Sequence, residues 1–116
     1  MSVAQGQRAE NAAADYLSAA GYKIIARNYH TQRGEIDIIA CHDDTLVFVE
    51  VKMRGSHAVG SGRDYVHKGK QRRIILSAQH YLTYTSWEGP CRFDVIEIQG
   101  AENPSLSHIP NAFECD

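Results

Sequence analysis

The strongest constraint on this chain is a pair of stretches, Glu35-Ile36-Asp37-Ile38-Ile39-Ala40 and Leu46-Val47-Phe48-Val49-Glu50-Val51-Lys52, either side of Asp43-Asp44. Both are rich in β-branched residues and bounded by polar ones, so they read as the two strands of a hairpin. A two-residue loop at Asp43-Asp44 pairs His42 with Thr45. Counting outward, Asp37 then lies opposite Glu50 and Glu35 opposite Lys52. Directly opposed residues point to the same side, with Cβ atoms roughly 4.5–5.5 Å apart. Two facing carboxylates repel unless a cation lies between them, so the register itself predicts a metal site. A Glu35–Lys52 ion pair on a plain surface hairpin would account for those two residues, but not for Asp37 facing Glu50.

Around this hairpin the pattern is that of one α+β (α/β) domain over residues 1–116, with a mixed sheet flanked by helices. Ala12, Ala13, Tyr16, Leu17 and Ala20 recur at helical spacing and predict a helix over 7–20, stopped at Gly21. A short strand is expected over 23–26. A second helix is expected over 70–84, with Ile74, Ile75, Ala78, Tyr81 and Leu82 inward and Arg72 and Arg73 off that face. Arg92 to Ile98 reads as a further strand. Residues 55–69 read as the loosest part of the chain. Residues 100–116 read as a tail from which Ile109 and Phe113 can pack on the core. The expected order is α-β-β-β-α-β.

Composition narrows the function classes. The fractions, 43% hydrophobic and 22% charged, are those of an ordinary globular protein, and no apolar run approaches the roughly 20 residues of a membrane helix. Residues 1–10 carry no apolar signal segment, and Cys41, Cys91 and Cys115 form no Cys-x-x-Cys pair. A cytoplasmic location with reduced thiols is therefore expected. The six histidines lack zinc-hydrolase spacing, and His108 reads as a packing or capping residue. Asp94 is open between a residue supporting the site from behind and a plain strand-edge acid.

Net charge is −2, yet seven Lys/Arg stand against one Asp between Val51 and Arg73. The basic run begins inside Glu50-Val51-Lys52, which places a polyanion-binding surface beside the acidic pair. Carboxylate oxygens suit Mg²⁺ or Mn²⁺. Asp37 and Glu50 holding such an ion, with Lys52 at the attacking water, would form a minimal apparatus for phosphodiester hydrolysis. Glu10 precedes Ala13 and Leu17 by three and seven positions and so lies on or beside their inward stripe.

Asp37 with Glu50-Val51-Lys52 resembles the PD-(D/E)xK nuclease superfamily, with Ile36 where that motif has Pro. A Glu on the first helix, then Asp and E-x-K, is similar to archaeal-type Holliday junction resolvases, which implies Glu10 as a further site acid. A broader likeness covers nearly the whole chain. Gly34-Glu35-Ile36-Asp37-Ile38-Ile39-Ala40, Val47-Phe48-Val49-Glu50-Val51-Lys52-Met53-Arg54, Arg92-Phe93-Asp94-Val95 and His108-Ile109-Pro110-Asn111-Ala112-Phe113 look like the YraN-like family of bacterial proteins. The resemblance implies a restriction-endonuclease-like fold and a Mg²⁺- or Mn²⁺-dependent endonuclease acting on structured or branched DNA. Asp37 and Glu50, assisted by Glu10 and Glu35, would bind metal. Arg54, Arg63, Lys68, Lys70, Arg72 and Arg73 would hold phosphates, and a homodimer would suit a branched substrate. The alternatives are a nucleic-acid-binding module that keeps the fold without catalysis, and an adaptor whose acidic face binds a protein.

Overall fold

The computed structural model describes residues 3–54, 68–100 and 103–114. The elements run α1 (Val3–Ala19), β1 (Lys23–His30), β2 (Glu35–His42), β3 (Thr45–Arg54), α2 (Lys68–Thr85), β4 (Cys91–Gln99) and β5 (Ser105–Phe113). The five strands form one mixed sheet in the order β1-β2-β3-β4-β5. β3 and β4 are parallel and every other neighbouring pair is antiparallel.

The sheet is covered on both faces because its strands are apolar on both. Leu46 and Phe48 of β3, with Ile36, Ile39, Phe93 and Val95, pack under Ile74 and Ala78 of α2. Val47 and Val49, with Ile38, Ala40, Ile96 and Ile98, pack under Ala9, Ala13 and Leu17 of α1. Glu50 and Lys52 continue the α2-facing alternation of β3. Gly21, at φ 92°, ends α1 in a left-handed turn, and the Tyr22 N–H donates to the Leu17 carbonyl at 2.9 Å. Among the described residues no helix is long and apolar enough to cross a membrane.

The hairpin has the predicted register. His42 pairs with Thr45, and the ladder runs back to Ile38 opposite Val49. Asp43 and Asp44 both take positive φ, at 48° and 64°, as the tight turn between right-twisted strands requires. Left-handed backbone is strained for a side-chain-bearing residue. Asp44→Gly is therefore expected to raise stability by about 0.5 kcal/mol, seen as a higher urea midpoint. An unchanged midpoint would show that the turn carries no strain.

Two expectations change. The 100–116 segment contains a strand, β5, which local pattern hides because Pro110 lies inside it. The sheet edge tolerates that proline, since one side of the strand has no ladder to serve. Phe113 is buried from this strand and Ile109 packs beside it, as anticipated. The Glu35–Lys52 pairing does not form. Glu35 pairs instead with His30 of β1, and Lys52 lies beside Glu97 of β4.

Candidate functional site

Where the β2–β3 ladder stops, the strands part and the side chains between them meet. By count the pair beyond Ile38–Val49 is Asp37 and Glu50, but no backbone rung is formed there. Instead the Val51 N–H donates to Asp37 Oδ2 at 2.8 Å, so the carboxylate takes the place of the missing rung. Glu10, Glu35, Asp37 and Glu50 together line one cleft of about 260 Å³.

Each acid is delivered by a different element. Glu10 comes from α1, one turn before Ala13 and Ala14, and is 8% exposed. It accepts from the Arg27 guanidinium at 3.0 Å and the Asn28 amide at 2.9 Å. Glu50, 6% exposed, comes from β3 and meets the Lys70 ammonium at 3.0 Å. Glu35 is exposed at the start of β2, with the His30 ring 3.4 Å away. The connection before it is clipped to α2. The Thr31 and Ser77 hydroxyls are 2.9 Å apart, and Gly34 packs so closely that a Cβ there would come 3.3 Å from Arg73 Cβ.

Among the described residues Asp37 has no cationic partner of its own. Burial, then the charge of Glu50, and more weakly that of Glu10, push its carboxyl up to about 8, against the opposing hydrogen bond from Val51. A hydrogen bond shared with Glu50 acts in the same direction. Asp37 therefore holds its proton at neutral pH, because a second negative charge cannot be accommodated beside Glu50 without a compensating cation. Among the described residues no three His, Cys, Asp or Glu side chains are grouped so that together they could hold a metal ion. Two facing carboxylates still fit Mg²⁺, which is commonly held by one or two carboxylates with water and substrate oxygens filling the rest.

The basic residues divide. Lys68, Arg72 and Arg73 are exposed on α2. Arg63 lies outside the described residues. Arg54, expected to meet phosphate, is 7% exposed, and its Nη1 donates to both Glu97 carboxylate oxygens at 3.2 Å. Its guanidinium ties β3 to β4. Lys52 is half-buried on the same face of β3 as Glu50. Lys70, grouped with the phosphate contacts by its charge, reaches the site itself. The signal was present in the spacing, since Lys70, Ile74 and Ala78 follow at intervals of four along the inward stripe of α2.

The Arg92-Phe93-Asp94-Val95 and His108-to-Phe113 segments meet at a different point. Asp94 is fully buried on β4. It accepts from Arg92 at 3.0 and 3.2 Å and from the Asn111 N–H at 3.0 Å, and His108 Nε2 is 2.7 Å away. The other ring nitrogen of His108 is 3.0 Å from the Tyr16 hydroxyl, so the cluster joins β4, β5 and α1. His108 is thus a packing residue, as its spacing suggested, and Asp94 is an internal anchor for β5.

Comparison with known proteins agrees with the fold-wide likeness. A bacterial relative from Desulfosudis oleivorans, a UPF0102 protein, is 46% identical over 112 residues, covering 96% of this chain and 90% of the relative. A UPF0102 protein from Symbiobacterium thermophilum is 45% identical over 116 residues, covering 97% and 98%. One from Chlorobium chlorochromatii is 44% identical over 115 residues, covering 93% and 89%. The profile of the Uncharacterised protein family UPF0102 matches residues 9–98, a span that carries Glu10, Asp37, Glu50, Lys52 and Lys70. The chain belongs to the UPF0102 family.

Proposed function

We propose that this protein is a metal-dependent, endonuclease-like hydrolase of phosphodiester bonds in structured or branched DNA, acting in the cytoplasm. The observation that carries the reading is the acidic pair Asp37 and Glu50 gathered with Glu10 and Glu35 in one cleft, where the Asp37 carboxyl is pushed up to about 8 and, among the described residues, has no cation of its own. Such a pair destabilises the fold it occupies, and a site that binds a hard cation explains its presence. A Mg²⁺ or Mn²⁺ ion bound there would activate water and offset phosphate charge.

The chain's own residues supply the rest. Asp37 and Glu50 would hold the ion, with Glu10 behind them and Glu35 at the mouth. Lys52, on the Glu50 face of β3, would orient the attacking water and donate to the charge that develops on the phosphate. Lys68, Arg72 and Arg73, on the exposed side of α2, would bind flanking phosphates without reading sequence.

A second reading is favoured by one specific feature. Glu10 and Glu50 already have cationic partners within the protein. A module that keeps the fold and binds DNA without cutting it would look the same at those two residues. The two readings separate on branched, nicked and single-stranded DNA with Mg²⁺ or Mn²⁺. The hydrolase cuts at least one of these, and Lys52→Ala reduces the rate by about 10²-fold or more while leaving DNA affinity within a few-fold. The binding module shows salt-sensitive affinity, weakened by Arg72→Ala and Arg73→Ala, and no metal-dependent product.

A further inference from the structure

Lys70 is a basic residue in the wrong place for a surface contact. It occupies the inward stripe of α2, four residues before Ile74 and eight before Ala78, both of them buried. A lysine on such a stripe must end at a partner. Here the partner is Glu50, with Nζ 3.0 Å from Oε1. The two side chains are unequal, since Glu50 is 6% exposed and Lys70 37%. The carboxylate is fixed in the sheet, whereas the ammonium rides on a flexible stem that reaches solvent.

The neighbouring acids are arranged asymmetrically. Glu10 has a guanidinium from the adjacent strand, and Asp37 has a backbone N–H. Among the described residues, Glu50 alone of these acids is neutralised by a side chain of α2. That contact lies on the oxygen donor a divalent ion would need, and an ammonium and a dication repel one another across a shared carboxylate.

We propose that Lys70 is a positioning residue that occupies Glu50 as a resident cation, is displaced when a divalent ion binds, and then turns to the phosphate of the bound strand. This rests on the hydrolase reading of the same site. The released ammonium remains tethered to α2, close to Glu50 and partly open to solvent. Metal binding and substrate engagement are thereby coupled through one side chain. In the metal-free protein Lys70 balances the charge of Glu50.

The test is calorimetric titration of Mn²⁺ into the full chain for wild type, Lys70→Met and Lys70→Gln, with cleavage measured at saturating Mn²⁺. Lys70→Met keeps the apolar stem and its packing, and Lys70→Gln is the second variant should Met misfold. Removing the competing cation is expected to tighten Mn²⁺ binding by about tenfold. At saturating metal, cleavage by either variant falls, with the loss in kcat/KM, and Lys70→Arg restores part of it. Equal or weaker Mn²⁺ affinity in both variants overturns the proposal while leaving the metal site standing. No Mn²⁺ binding by wild type or by either variant overturns the metal site itself, and this proposal with it. Binding by the variants alone supports displacement.

Discussion

Asp37→Asn is expected to abolish metal-dependent cleavage and, in the same protein, to raise stability at alkaline pH. The carboxyl titrates at about 8 in the folded chain against 3.8 in the unfolded one, because it is buried beside Glu50. Between those values the folded state holds a proton that the unfolded state has lost. Stability from this group is fully present below about pH 4 and is lost as pH rises through about 8. The wild-type curve should therefore fall relative to that of Asp37→Asn by up to about 1.4 kcal/mol per pH unit over this window. Asn keeps a carbonyl oxygen for the Val51 N–H and has nothing to titrate, so it removes the slope without removing the hydrogen bond. Urea unfolding of both proteins in chelator, from pH 4 to 9, makes the comparison. The curves should coincide at the acid end and diverge toward the alkaline end, with the variant more stable. Mn²⁺ at pH 8 should raise the wild-type midpoint and leave that of the variant unchanged. Parallel curves across the whole range would mean that Asp37 is an ordinary ionised carboxylate and that the acidic pair needs no cation.

The parts of this arrangement that could be read in the chain are those set by local periodicity. Asp43-Asp44 fixes the hairpin as far as Ile38 opposite Val49, and the period of two then brings Asp37 and Glu50 together just beyond the last rung. Helical spacing places Glu10 beside Ala13, and the same rule applied to Lys70 beside Ile74 leads to Glu50. That lysine was hidden by the charge run around it, which grouped it with the phosphate contacts. Arg54 was hidden by topology. Its partner Glu97 lies on the parallel neighbour of β3, reached only through a crossover that contains α2, and no local pattern pairs residues across such a distance. The Asp37–Val51 contact was invisible for a related reason. A register count assumes that the ladder continues, whereas here a side chain takes over from the backbone where the strands part. β5 was obscured because Pro110 argues against a strand unless the segment is known to be an edge.

The largest loss of stability is expected from Asp94→Ala, at a residue outside the acidic cleft. Burial alone would raise this carboxyl. Hydrogen bonds from His108, Arg92 and the Asn111 N–H outweigh burial and hold it below the ordinary carboxylate range. Replacing Asp94 leaves the Arg92 guanidinium, the His108 ring and a backbone N–H facing an empty interior position. Truncating one side of a buried ionic cluster costs about 3–5 kcal/mol, most of it from the charge left behind. Arg92→Ala in the Asp94→Ala background should therefore cost much less than the sum of the two single changes. The depressed carboxyl also sets the pH dependence. Its contribution is present above the unfolded value of 3.8 and is lost as pH falls through the lower folded value, so the Asp94→Ala deficit should be largest at neutral pH and shrink in acid. This is the opposite slope to that of Asp37, which allows the two acids to be distinguished in one set of unfolding curves. Because Asp94 joins β4 to β5 and, through His108 and Tyr16, to α1, hydrogen exchange in the variant should rise first along β5. A deficit below about 1 kcal/mol at neutral pH, with β5 as protected as in wild type, would show that Asp94 is only a strand-edge acid.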